Sequence, residues 1–328
     1  MNTIEFFESI GPRIIERTQE LDMGLVLPQT RHAIEDALGK TVLLGGKRLR
    51  PLLTYLVGNS LGLELAELDL FARSIEQVHA ASLSHDDVID NATKRRGKDS
   101  INILTSNKKA ILAGDYLLAN VICQLTEYGN IEVVSKTAQV ISELSEGEWL
   151  QMELIDSRNY TREVILDVAN YKTASVMKWC CEVPAILAGL DQTTQAYFKD
   201  FGYHLGIGFQ LIDDTLDFNG NKEKEALIDL QNGIVNMVLY NWLESDAKAN
   251  EAYKKGESLE SLWSEEFKNS AVAKTKELAI HHIDTCSELL DKIENSLKAQ
   301  NNNALFSSFS NGRKALENVL LFLKNRQN

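Results

Sequence analysis

The chain has 328 residues, enough to bury a large core in one or two domains, and at 44% hydrophobic and 25% charged it is composed like an ordinary soluble globular protein. Its formal net charge of −13 argues against a nucleic-acid partner, which wants a basic stripe, and against attraction to anionic lipid. Only four prolines occur, none in the 144 residues after Pro184, and no sustained Val/Ile/Thr alternation is bounded by hairpin turns, so the reading is an all-α fold.

In chain order, "MNTIEFFESIGPRI" lacks a basic n-region followed by an apolar run and is not read as a secretory signal. "LGKTVLLGGKRLRP" (38–51) ends in a glycine pair ahead of Lys47, Arg48 and Arg50. "IEQVHAASLSHDDVID" steps by threes and fours, predicting a helix that runs into Asp86, Asp87 and Asp90, with Lys94, Arg95 and Arg96 just beyond. "YTREVILDVANYKTASVMKWCCEVPAILAGL" predicts two helices or one bent one, with Thr161 as N-cap and Pro184 as kink or stop. The apolar window 174–190 carries Lys178 and Glu182 and is too short and too charged to span a bilayer. "DFGYHLGIGFQLIDDTLDFNGN" (200–221) predicts a helix ending at Asn219-Gly220. The C-terminal third predicts further helices with polar breaks near 254–258 and 299–303. Without a linker or a solenoid repeat, one domain over 1–328 is the simplest organisation. Cys123, Cys180, Cys181 and Cys286 have no metal-site spacing and are read as reduced core thiols of a cytoplasmic protein.

One pattern recurs: Asp-Asp-x-x-Asp, starting at Asp86 and again 127 residues later at Asp213. On a helix, Asp86 and Asp90 share a face with Asp87 on the flank, and Asp213 and Asp217 do the same beside Asp214. Like charges four apart repel, so these faces make sense if they hold hard cations. Magnesium takes oxygen ligands and is often held by one or two carboxylates together with phosphate oxygens, so two such helices facing each other could bracket a polyphosphate. A single copy reads more simply as a solvated helix end. Two copies, each running out of an apolar stretch ("ASLSHDD", "FQLIDD"), favour metal. The clusters at 47–50 and 94–96 suit phosphate, since arginine forks match its oxygens and the adjacent glycines allow close backbone approach.

Together, "GGKRLRP" (45–51), "HAASLSHDDVIDNATKRRG" (79–97), "AGDYLLA" (113–119), "EGEWLQ" (146–151), "YKTAS" (171–175) and "GFQLIDDTLDFNG" (208–220) resemble the trans-isoprenyl diphosphate synthases, or polyprenyl synthetases. That resemblance implies an all-α bundle around a central cavity, usually a homodimer. It implies about three Mg²⁺ ions held by Asp86, Asp90 and Asp213, with Asp87, Asp214 and Asp217 behind or beside them. It places Arg95, Lys172 and Gln210 on an allylic diphosphate, Lys47, Arg50, His79 and Arg96 on isopentenyl diphosphate, and Thr173 at the reacting carbons. The implied reaction is ionisation of the allylic diphosphate, attack by the double bond of isopentenyl diphosphate, and proton loss to the departing diphosphate. It needs no nucleophilic serine or cysteine. His85 reads as a supporting histidine.

Ala81 and Ser82, just before the first acids, are small. The resemblance ties bulky aromatics here to short products, so the expected product is C20 or longer; the competing reading is that both only permit close helix packing. After the second acidic motif this sequence departs from the family pattern: it reads "NGNKEKEALIDLQNGIVNMVLYNW", with Ile234 at a family lysine position and Asn236-Met237-Val238 in place of Thr-Leu-Pro. From Glu225 to Ala247 there is no lysine or arginine, and Lys222 and Lys224 are the nearest substitutes. Alternative readings are a class I terpene cyclase, a prenyltransferase with another acceptor, a non-catalytic subunit of a heteromeric synthase, or a helical scaffold.

Overall fold

A computed structural model describes residues 3–23, 32–46, 48–218, 230, 233–257, 259, 261–300 and 302–326. Its helices are α1 (Thr3–Ser9), α2 (Pro12–Gln19), α3 (His32–Lys40), α4 (Leu49–Ser60), α5 (Leu65–Ile89), α6 (Ile101–Leu104), α7 (Asn107–Tyr128), α8 (Ile131–Ser157), α9 (Arg162–Ala169), α10 (Ser175–Leu187), α11 (Gln192–Leu216), α12 (Met237–Ser245), α13 (Ala247–Lys255), α14 (Glu265–Ala299) and α15 (Asn303–Lys324). The all-α expectation holds, with one small exception: β1 (Lys94–Arg95) pairs antiparallel with β2 (Lys98–Asp99). Arg96 (φ 53°) and Gly97 (φ 77°) both take the left-handed conformation that a tight two-residue hairpin requires.

Helix α10 lies at the centre. Apart from Lys178, its residues from Ser175 to Ile186 are buried all round, so it carries no polar face. Pro184 neither stops nor delimits it; the helix continues to Leu187. Thr161 is the N-cap of α9, accepting a bond from Val164 N at 3.3 Å. The two-helices-or-one-bent alternative resolves as α9 and α10 joined by a π-helical turn, Asn170–Ala174. Such a widened turn costs regular hydrogen bonding and commonly marks a functional position. Here it carries Lys172 and Thr173.

Helix α11 crosses this turn closely because Gly206 has no side chain. A β-carbon there would lie 2.5 Å from Ala174 Cα, and one at Gly202 would lie 2.5 Å from the Met177 carbonyl oxygen. α11 ends at Leu216 with Asp217 as C-cap, and Asn219-Gly220 lies outside the described residues. The polar breaks fall where expected, at Gly256 after α13 and between α14 and α15. Cys180, Cys181 and Cys286 are buried thiols, whereas Cys123 is exposed, so the expectation of four core thiols fails for that one residue.

Candidate active site

Both acidic motifs fall in the last turn of a long helix. Asp86 and Asp87 close α5, with Asp90 as its C-cap; Asp213 and Asp214 close α11, with Asp217 as its C-cap. A helix C-terminus carries the negative end of the macrodipole, where carboxylates are least favoured and cations most. Neither final turn contains a basic residue. Burial, reinforced by Glu148 and Asp90, pushes Asp86 up to about 6 despite the opposing pull of Lys172 and Arg95. Burial also raises Asp90.

The motifs divide labour in the same way. The second aspartate of each is buried and committed to the protein. Asp87 is 0% exposed and accepts from Arg95 Nε at 2.7 Å and from Ile101 N at 3.4 Å. Asp214 is 5% exposed and accepts from Gln210 Nε2 at 2.9 Å and Met237 N at 3.0 Å, and burial pushes it up to about 7. Asp86 and Asp217 line a chamber of about 490 Å³, and Asp214 reaches its wall. Asp90 is exposed at the end of its helix, and Asp213 is ion-paired with Arg326 at 2.7 Å.

The same chamber brings together Arg50, His79, Lys172, Thr173 and Gln210. Thr173 Oγ1 donates to Gln210 Oε1 at 2.7 Å, so a chain of bonds runs from the π turn through Gln210 and Asp214 to the first turn of α12. Lys172 Nζ donates to Gln151 Oε1 at 2.9 Å and pairs with Glu148. Glu148 and Gln151 sit three residues apart in "EGEWLQ", a spacing visible in the sequence but given no role there. Leu83, Leu144, Leu154, Ile165, Val168 and Leu239 supply an apolar wall.

A smaller chamber of about 180 Å³ shares Arg50 and His79 with the first and adds Arg48, Arg96 and Arg326. The left-handed Gly46 lets Arg96 lie against the backbone: a β-carbon at Gly46 would meet the guanidinium at 2.9 Å. Arg96 Nη1 then donates to the Leu44 carbonyl at 2.6 Å. Burial, with Arg50, Arg96 and Arg95 nearby, pushes His79 well below the usual histidine range, so its ring is neutral. Lys47, assigned to the same group in the sequence, lies outside the described residues, as do Lys222 and Lys224. Arg326 is a site residue that sequence reasoning missed, since it arrives from the far end of the chain with no motif around it.

Ser82 lines the large chamber, whereas Ala81 does not; Ala81 is 0% exposed and packs with Ala110, Ala113 and Leu117 of α7. For Ala81, close helix packing is therefore the observed role. Gly114 serves the same interface: a β-carbon there would fall 2.3 Å from His85 Nε2, and His85 lies 3.4 Å from Asp115.

The departure after the second motif has its own local logic. Asn236 caps α12 through Leu239 N at 3.0 Å, and Met237 N at that helix start donates to Asp214. The positive end of a helix dipole thus faces the acids. The Tyr160 and Tyr253 hydroxyls hold the Gly233 carbonyl at 2.7 and 3.2 Å. Ile234, Val235 and Asn236 form a neutral stretch of chamber wall.

The donor set fits magnesium: hard carboxylate oxygens at two helix C-termini, without basic residues in those turns. Among the described residues, no three His, Cys, Asp or Glu side chains gather closely enough to hold an ion alone. Ions here would therefore draw part of their coordination from phosphate oxygens and water.

Comparison with known proteins agrees with this geometry. The family model for polyprenyl synthetase matches residues 31–274. A mitochondrial solanesyl-diphosphate synthase from Oryza sativa subsp. japonica is 32% identical over 275 residues, covering 76% of this chain and 64% of that protein. The chain spans less than two thirds of the length of this and two further plant relatives. Among solved structures, a decaprenyl diphosphate synthase from Rhodobacter capsulatus superposes with a TM-score of 0.71 at 26% identity, covering 96% of this chain and 97% of that one. A geranylgeranyl pyrophosphate synthetase from Geoglobus acetivorans shares the fold, with a TM-score of 0.78 at 24% identity over 99% of this chain and 100% of the other. By its motifs, its fold and the extent of the family match, the chain belongs to the polyprenyl synthetase (trans-isoprenyl diphosphate synthase) family.

Proposed function

We propose that the protein is a magnesium-dependent trans-prenyltransferase that condenses isopentenyl diphosphate with an allylic diphosphate, making a long polyprenyl diphosphate of C20 or more. The observation that carries this reading is the pair of acid-bearing helix C-termini with one chamber between them. Asp86, Asp90, Asp213 and Asp217 hold the metal, while Asp87 and Asp214 orient Arg95 and Gln210. Magnesium bound there supplies Lewis-acid stabilisation of the departing diphosphate. Lys172, kept in place by Glu148 and Gln151, adds a cation on the same side. Gln210 meets the allylic diphosphate with Lys172, and Thr173, hydrogen-bonded to Gln210, sits at the reacting carbons. The apolar wall keeps water from the allylic cation and receives the growing tail. Arg50, neutral His79 and Arg96 hold the diphosphate of isopentenyl diphosphate; its isopentenyl double bond attacks the cation, and the proton then lost goes to the departed allylic diphosphate. The expected assembly is a homodimer in the cytoplasm, and among the described residues no helix is long and apolar enough to cross a membrane.

The long-chain part of the proposal draws on the relatives, which include solanesyl, octaprenyl and decaprenyl diphosphate synthases. A second reading, ionisation followed by attack from another acceptor or by cyclisation, draws on the neutral wall at Ile234 to Asn236. The test is the double variant Asp86→Ala/Asp90→Ala. Turnover should fall at least 100-fold, the scale of losing transition-state charge stabilisation, with an unchanged circular dichroism spectrum. Turnover at the wild-type rate would refute the metal-centred mechanism.

A further inference from the structure

Four arginines and one histidine line the smaller chamber, with a single acid, Glu76, among the described residues there. Three of the arginines are anchored elsewhere. Arg48 Nη1 donates to the carbonyls of Thr18, Gln19 and Leu21 at 3.2, 3.1 and 2.9 Å. Arg96 is held by Leu44, and Arg326 pairs with Asp213. Arg50 is different: its Nε is buried with no hydrogen-bond partner among the described residues. Glu76 is only 9% exposed, and its Oε2 is likewise buried without a partner. A buried carboxylate and a buried guanidinium facing one small chamber are each costly alone and tolerable together. Glu76 stands one turn ahead of His79 on α5, so both side chains approach Arg50 from the same helix face.

We propose that Glu76 is a positioning residue for the second substrate: its carboxylate shares the smaller chamber with Arg50, and its charge orients the guanidinium fork, with His79, toward the incoming diphosphate. The proposal rests on assigning isopentenyl diphosphate to this chamber. Arg48 at the N-cap of α4, Arg50 within it, Arg96 of the hairpin and Cys180 of α10 are the charged and titratable groups nearest the carboxylate, so its surroundings are cationic or neutral. Burial raises Glu76, and the charges of Arg50, Arg48 and Arg96 pull the other way.

The test compares wild type with Glu76→Gln and Glu76→Asp, using isopentenyl diphosphate as the probe in calorimetry and steady-state kinetics. Glu76→Gln keeps the shape and removes the charge. Its affinity for isopentenyl diphosphate should fall about tenfold, the scale of a lost charge-assisted contact, and KM for that substrate should rise in step. KM for the allylic substrate and kcat should stay within about twofold of wild type. Glu76→Asp should recover part of the loss, which keeps the test decisive if the Gln variant folds poorly. Unchanged or tighter binding in Glu76→Gln, or equal losses for both substrates, would overturn the positioning role while leaving the functional assignment in place. A folded wild-type protein that binds no isopentenyl diphosphate would overturn both.

Discussion

Ile234 shows how one side chain tunes the proposed site. It lines the chamber close to the second acidic motif, and the wall on either side of it is neutral. The start of α12 supplies a partial positive charge through Met237 N, but a helix dipole is weaker than a full cation. Ile234→Lys should therefore lower KM for the allylic diphosphate about tenfold, in line with a new charge-assisted phosphate contact. Steady-state titration of that substrate reads the effect. Asp86 gives the complementary prediction. Its folded pKa is raised, so its contribution to stability is complete below the usual aspartate range and lost as pH rises through about 6. Asp86→Asn should consequently leave the metal-free protein as stable as wild type or more so at pH 8, while turnover collapses. Thermal melts with and without Mg²⁺ check this: metal should stabilise wild type and have little effect on the variant.

At the scale of elements, the packing of α11 against its neighbours sets the site. Gly206→Ala would drive a β-carbon into the backbone of the π turn that carries Lys172 and Thr173. A cost of about 1–3 kcal/mol and a fall in kcat should appear together, measurable by denaturant melts and turnover. On its other side α11 meets α14 through His204 Nδ1 and His282 Nδ1, 3.0 Å apart, one donating and one accepting. Burial, then His204 and His281, pushes His282 down to about 4, and burial lowers His204 as well. Depressed histidine values mean that the stabilisation is present above about 6.5 and is lost as pH falls toward 4. Wild type should lose stability across that window more steeply than His282→Gln, as followed by Tm against pH. The acidic helix ends were readable in the sequence because a helical period fixes which residues share a face. The π turn was not, since nothing in "NYKTA" separates a widened turn from a regular one. Nor could the period tell that Asp87 and Asp214 turn inward, because that depends on Arg95 of the hairpin and Met237 N at the start of α12 reaching them from other segments.

For the whole molecule, the chain brings residues from both ends to one place. Phe6 and Phe7 of α1, Phe322 of α15 and Arg326 close the smaller chamber built on α4 and α5. Phe6 stacks on Phe322 with ring centroids 4.5 Å apart, and the Arg326 guanidinium lies 4.9 Å from the Phe209 ring centre. Contacts this distant in sequence leave no local pattern, which is why Arg326 escaped the reading that found Arg50 and Arg96. The same limit applies to the apolar wall: its residues come from α5, α8, α9 and α12, and only their assembly gives the chamber its volume. The larger chamber is proposed to join isopentenyl diphosphate to an allylic starter. Its most direct test is to incubate the protein with Mg²⁺, isopentenyl diphosphate and, separately, dimethylallyl, geranyl and farnesyl diphosphate, and to resolve the products by mass spectrometry. A ladder of polyprenyl diphosphates ending at one length of C20 or more is expected. Release of diphosphate without elongation from any starter would contradict it.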